Sequence, residues 1–183
     1  IRPLAKRYPL NEPGNVTPIW NDDYDAAMRE VYLAHEDDLD VAARFAEAIM
    51  NRTPWLLWDI KTGKPAEGAD TAEAIAVLER AMATASGMKH PGILHMYIHL
   101  MEMSPHPERA LRAGDALCSL VPDAGHLIHM PTHIDVLCGN YKDVIDRNEL
   151  ATIADKKYLA REGAVNFYSL YRCHNYHFKT YGA

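Results

Sequence analysis

Two histidine pairs, His95 with His99 and His129 with His133, stand 34 residues apart. The same interval separates Ala110 from Val144 and Leu117 from Ala151. A period of this length accommodates two helices and their turns, so it constrains the chain to stack similar helix pairs. Composition agrees with that constraint. The 25 Ala and 17 Leu, against 11 Ile, 8 Val and 8 Thr, favour helix over strand. The 11 prolines divide the 183 residues into stretches that are mostly helix-sized.

Within those stretches apolar residues recur at i, i+3, i+4 and i+7, as in Ala42-Phe45-Ala46-Ile49 and Ala74-Val77-Leu78-Ala81. The pattern predicts helices over 22–34, 38–50, 70–85, 91–104, 107–120, 125–138, 141–154 and 163–182. Residues 1–21 read as an irregular lead-in. Residues 51–69, with Trp55, Trp58, Gly63, Pro65 and Gly68, read as an inserted loop whose tryptophans pack against helices. The expectation is one all-α domain over 1–183. It is expected to be a piece of a longer array, since the chain opens on Ile and stops inside a helical pattern at His177–Ala183.

A net charge of −6 disfavours a non-specific grip on nucleic acid or on an anionic membrane, and no apolar run reaches the ~20 residues of a membrane span. Three cysteines form neither a disulfide framework nor a Cys-x-x-Cys pair. A cytoplasmic location and a possible homo-oligomer are expected. There is no glycine-rich phosphate loop and no Gly-x-Ser-x-Gly elbow. His129-Met-Pro-Thr-His133 has the zincin histidine spacing but lacks the adjacent Glu.

Cys138-Gly139-Asn140-Tyr141, followed by Val144 and Ala151, resembles the Gly-x-Tyr turn and small second-helix residues of the tetratricopeptide repeat. Asp37-Asp38 before Val41, Phe45 and Ala46 resembles the entry to another first helix. The likeness runs from Asp22 to Asp155 and implies stacked antiparallel helix pairs in a right-handed solenoid of about three and a half repeats. The 51–69 insertion and the lengthened 156–164 connection depart from the pattern. A narrower likeness, carried by His90-Pro-Gly-x-x-His95-x-Tyr-Ile-His99, Pro107-Glu-Arg-Ala110 and Ala124-Gly-His126-x-x-His129-Met-Pro-x-His133-Ile, points to a histidine-rich group of tetratricopeptide-like proteins. It implies a fold and a site position, not a reaction. In the repeat family the first helix of each pair lines the concave groove. That implies a groove position for His95, His99, Glu102, His126, His129 and His133, with Asp40 and Glu47 added from the preceding unit.

Nine of the ten histidines lie between His90 and His177. His95, His99 and Glu102 share one helix face at i, i+4 and i+7. His129 and His133 repeat the pair one period later, with His126 one turn before. Equivalent azimuths on neighbouring helices about 8–10 Å apart let the imidazoles converge on one centre. Imidazole with a carboxylate suits zinc, copper or iron. Cys173-His174-x-x-His177 adds a third cluster, in which Cys173 is either a soft ligand or a small packing residue. His35, His90 and His106 read as loop or cap residues. Tyr168, Tyr171 and Asn175 share a face with part of the histidine cluster. Pro131 allows two readings. A helix begun near Gly125 loses its hydrogen bond to Leu127 there, or a helix starts at Pro131 and leaves His126 and His129 on a loop.

Two function classes follow. One is a metal-binding protein, extended in its fullest form to a metal-dependent hydrolytic or oxidative enzyme acting on a small molecule. Its ligands are drawn from His95, His99, His126, His129, His133, His174 and His177, with Glu102 and Glu47 as acid–base groups. The other is a scaffold that binds a peptide in the same groove.

Overall fold

The computed structural model describes residues 2–9 and 17–183. Part of the expected irregular lead-in, residues 1 and 10–16, lies outside the described residues. The described part of the chain is all-α apart from one short hairpin, and it forms two compact units. The first comprises 1–96 with 103–105, and the second 97–102 with 106–183.

In the first unit, α1 (Arg2–Arg7) occupies part of the expected lead-in and packs on α2 (Asn21–Ala34). Pro3 in its first turn and Lys6 and Arg7 in its last suit a short helix. α3 (Leu39–Arg52) opens on Asp38, whose carboxylate accepts the Val41 N–H at 3.1 Å. It stops before Pro54, which disfavours helical backbone at Thr53. Its face of Ala42, Phe45, Ala46 and Ile49 is buried, and Phe45 stacks on Tyr32 of α2 at 5.0 Å. α4 (Thr71–Met82) packs on α3 and buries the predicted Ala74, Val77, Leu78 and Ala81. Arg29 and Arg52, reaching Asp22, Asp25, Asp70 and Glu73, tie α2 and α3 to the start of α4.

The 51–69 insertion carries a hairpin that pairs β1 (Trp58–Asp59) with β2 (Lys64–Pro65), turned through Gly63 at φ 68°. Trp58 is buried, as expected of the tryptophan pair. Trp55 is 67% exposed and holds a φ of 63°. α5 (Pro91–Met101) begins at a cap made by His90. The His90 Nδ1 accepts the Ile93 N–H at 3.2 Å, and its Nε2 lies 3.1 Å from Asp40.

The later turns of α5 belong to the second unit. There the predicted 107–120 helix is a 3-10 turn over Pro107–Ala110 followed by α6 (Leu111–Leu117). The 125–138 segment divides into α7 (Gly125–His129) and α8 (Thr132–Leu137). Met130 and Pro131 keep right-handed helical backbone, so the division is a lost hydrogen bond within a helix begun at Gly125, the first of the two readings of Pro131. α8 ends at Gly139, φ 79°, where Asn140 N–H reaches back to the Asp135 carbonyl and Gly139 N–H to that of Val136.

α9 (Tyr141–Glu162) outruns its expected end at 154, because 155–162 holds good helix formers and no breaker until Gly163. α7 and α8 pack on α9. α10 (Ser169–Gly182) packs on α9 and α7. Ala110, Leu117, Val144 and Ala151, which define the period, are all fully buried. The packed helix pairs are compatible with a helical-repeat fold. Among the described residues no helix is long and apolar enough to cross a membrane.

Candidate metal centre

The second unit draws its histidines from four helices. α5 supplies His99 and Glu102 just past its end. α7 supplies His126 and His129, α8 supplies His133, and α10 supplies His174. Because α7 and α8 keep one helical path across Pro131, His129 and His133 retain their i, i+4 relation, and their rings meet edge to face at 4.9 Å.

His129 sits at the centre and is fully buried, where the groove reading anticipated a side chain lining an open surface. Its Nδ1 lies 2.7 Å from Asn148 Oδ1 on α9. The Asn148 amide donates to the Val144 carbonyl at 2.7 Å, so its oxygen is the end that faces His129 and accepts the Nδ1–H. The lone pair of a neutral His129 is therefore on Nε2, which points at His133 Nε2 at 2.9 Å. His174 Nε2 is 3.3 Å from the same His133 atom. One ligand atom from each of His129, His133 and His174 lies within 4.8 Å of the others. Phe178 closes the cluster from α10, stacking on His133 at 4.7 Å and meeting His129 edge-on at 4.9 Å.

Glu102 lies behind the ring of His133. Its Oε2 is 2.6 Å from His133 Nδ1, and its Oε1 is 3.0 Å from His99 Nδ1. Burial alone would raise its pKa. The hydrogen bonds from His133 and His99 outweigh that and hold it at about 2. Three of the histidines are shifted the same way. Burial, and then repulsion from the neighbouring imidazoles, pushes His129 down to about 2 and His126 to about 4, and lowers His174. Neutral rings with free lone pairs are what a metal ion requires.

A second polar network steadies α7 and α10. The buried Asp155 accepts Tyr168 O–H at 2.7 Å and Asn175 N–H at 2.8 Å. Tyr171 meets the His126 ring edge-on at 5.0 Å. Gly125 begins α7 against this carboxylate, and a Cβ there would stand 2.0 Å from Asp155 Oδ1.

The remaining expected residues are not members of the His129, His133 and His174 group. His95 lies one turn before His99 on α5, in the first unit. Glu47 also belongs to the first unit and pairs with Arg44 at 2.9 Å. His177 and Cys173 are exposed on α10. His35 ends α2, and His106 precedes the 3-10 turn beside Glu108 at 3.3 Å. Asn148 and Phe178 were not anticipated. The signal for Asn148 was present, because it stands with Val144, Ala151 and Asp155 on one stripe of α9. A polar residue on an apolar stripe has a buried partner to satisfy. Comparison with protein-family models, with curated proteins and with solved structures finds no match.

Proposed function

We propose that this chain is a metal-binding protein of tetratricopeptide-like helical-repeat type. In this reading it holds one transition-metal ion at the Nε2 atoms of His129, His133 and His174. The observation that carries the reading is the convergence of these three nitrogens, two of which have their Nδ1–H tied back to Asn148 and Glu102. Two lone pairs facing each other at 2.9 Å repel unless a proton or a cation lies between them. Nitrogens bound to one zinc at about 2.0–2.1 Å are about 3.3 Å apart in a tetrahedron, close to the separations found here. A carboxylate or amide behind each ligating imidazole is the usual support of a histidine metal site. Three neutral nitrogen donors suit zinc, copper or iron and leave coordination open for water, dioxygen or a small substrate. The ion would supply Lewis-acid or redox activation of a molecule bound there.

The test is elemental analysis of the purified protein, followed by titration of metal-stripped protein with zinc, copper, iron and nickel. One equivalent per chain is expected, with uptake lost in His174→Ala. That ligand is half-buried, whereas His129 is fully buried, so its removal disturbs packing less than removal of His129. Stripped protein that takes up none of the four metals refutes the proposal.

A further inference from the structure

We propose that Glu102 is a positioning residue that fixes the ring tautomers of His99 and His133 and thereby aims the His133 Nε2 lone pair at the metal position. This rests on the metal reading above and assigns Glu102 a different task from the acid–base role its sequence position suggests. A carboxylate oxygen only accepts hydrogen bonds. Glu102 Oε2 faces His133 Nδ1 at 2.6 Å and Oε1 faces His99 Nδ1 at 3.0 Å, so both protons reside on Nδ1. In a neutral imidazole the lone pair is then on Nε2. For His133 that is the atom 2.9 Å from His129 Nε2 and 3.3 Å from His174 Nε2.

The carboxylate has little freedom to do anything else. Its side chain is only 8% exposed and both oxygens are engaged by imidazole. It also joins two helices, because His99 lies on α5 and His133 on α8. One side chain therefore sets two rings at once.

Glutamine at this position has one acceptor and one donor. The amide N–H2 can meet a ring only at an unprotonated Nδ1. One of the two histidines must then move its proton to Nε2, and His133 in that form offers no lone pair to the metal.

The experiment records nitrogen-15 histidine spectra, which separate Nδ1–H from Nε2–H tautomers, on metal-free native protein and on Glu102→Gln. Zinc titration of both proteins accompanies the spectra. Native protein should carry a proton on Nδ1 of both His99 and His133. Glu102→Gln should move at least one of them to Nε2–H and leave His129 unchanged, with zinc affinity lower by about 10–100-fold. A purely structural role would lower the melting temperature without moving a tautomer. Native His133 found without a proton on Nδ1 overturns the proposal, and so do unswitched tautomers in Glu102→Gln, whatever the affinity does. If Glu102→Gln does not fold, the native spectrum alone decides. If native protein takes up no zinc, the metal reading fails while the spectra still judge Glu102.

Discussion

Acidifying the metal-stripped protein should destabilise it by an amount that the histidine cluster sets. His129 and His126 have folded-state values of about 2 and about 4, against 6.5 for an ordinary histidine. Below that value the unfolded chain binds protons that the folded chain refuses, so stability falls as pH falls. At about pH 5.5 each of the two buried imidazoles then costs about 1.4 kcal/mol, roughly 3 kcal/mol for the pair. His174 is shifted the same way and adds to the loss. Asp135 opposes it. Burial raises that carboxyl from 3.8 to about 6 even though Arg147 stands 3.1 Å away. Between about pH 7.5 and 5.5 it takes up a proton in the fold and returns about 0.8 kcal/mol. Glu102 contributes nothing in this window, because both its folded value of about 2 and its ordinary value of 4.5 lie below it.

The histidines therefore win by about 2 kcal/mol, which for a chain of this size lowers Tm by about 4–8 °C. Circular dichroism melts of metal-stripped protein at the two pH values measure this directly. His126→Gln should reduce the pH-dependent loss by about 1.4 kcal/mol, since one refused proton is removed. Equal melting temperatures at the two pH values, or an undiminished loss in His126→Gln, would refute neutral burial of these rings.

Gly125→Ala should be costly, because its new Cβ stands 2.0 Å from Asp155 Oδ1 and 3.0 Å from the Ala151 carbonyl. Displacing that carboxylate loosens its bonds to Tyr168 and Asn175, and chemical denaturation should register a loss of about 1–3 kcal/mol. Ala110→Leu tests the repeat register, since Ala110 is fully buried where the 3-10 turn packs on α6 and α8. Overpacking should lower stability by about 1–3 kcal/mol in thermal melts, and an unchanged melt would mean that the 34-residue register does not describe the packing.

Helix content was legible because the helices are amphipathic and proline-bounded. Ala74, Val77, Leu78 and Ala81 announced both α4 and its buried face. What periodicity missed lay where local chemistry outweighs it. α1 carries no buried residue, so no apolar stripe marked it. α9 continues to Glu162 through Lys156, Lys157 and Arg161, whose helix propensity is good but whose exposed side chains leave little apolar pattern.

In the sequence the candidate site was marked by the histidine interval, of which only the His129 and His133 pair enters the group completed by His174. In a helical-repeat fold, residues one repeat apart occupy equivalent positions on packed helices, which is why a histidine pair recurring in register suggested a shared centre. The interval does not say which imidazole nitrogen faces that centre. Asn148 and Glu102 supply that information, and they come from different helices, α9 and the end of α5. It also does not give burial. His129 is enclosed because α10 lays Phe178 and His174 over it, and the 44 residues from His133 to His177 break the repeat spacing that would have predicted this. His174 therefore joins His129 and His133 through the docking of α10 on α9 and α7. On the metal reading an ion held by these three rings pins α10 to the rest of the unit, so the melting temperature should rise with metal concentration by linkage.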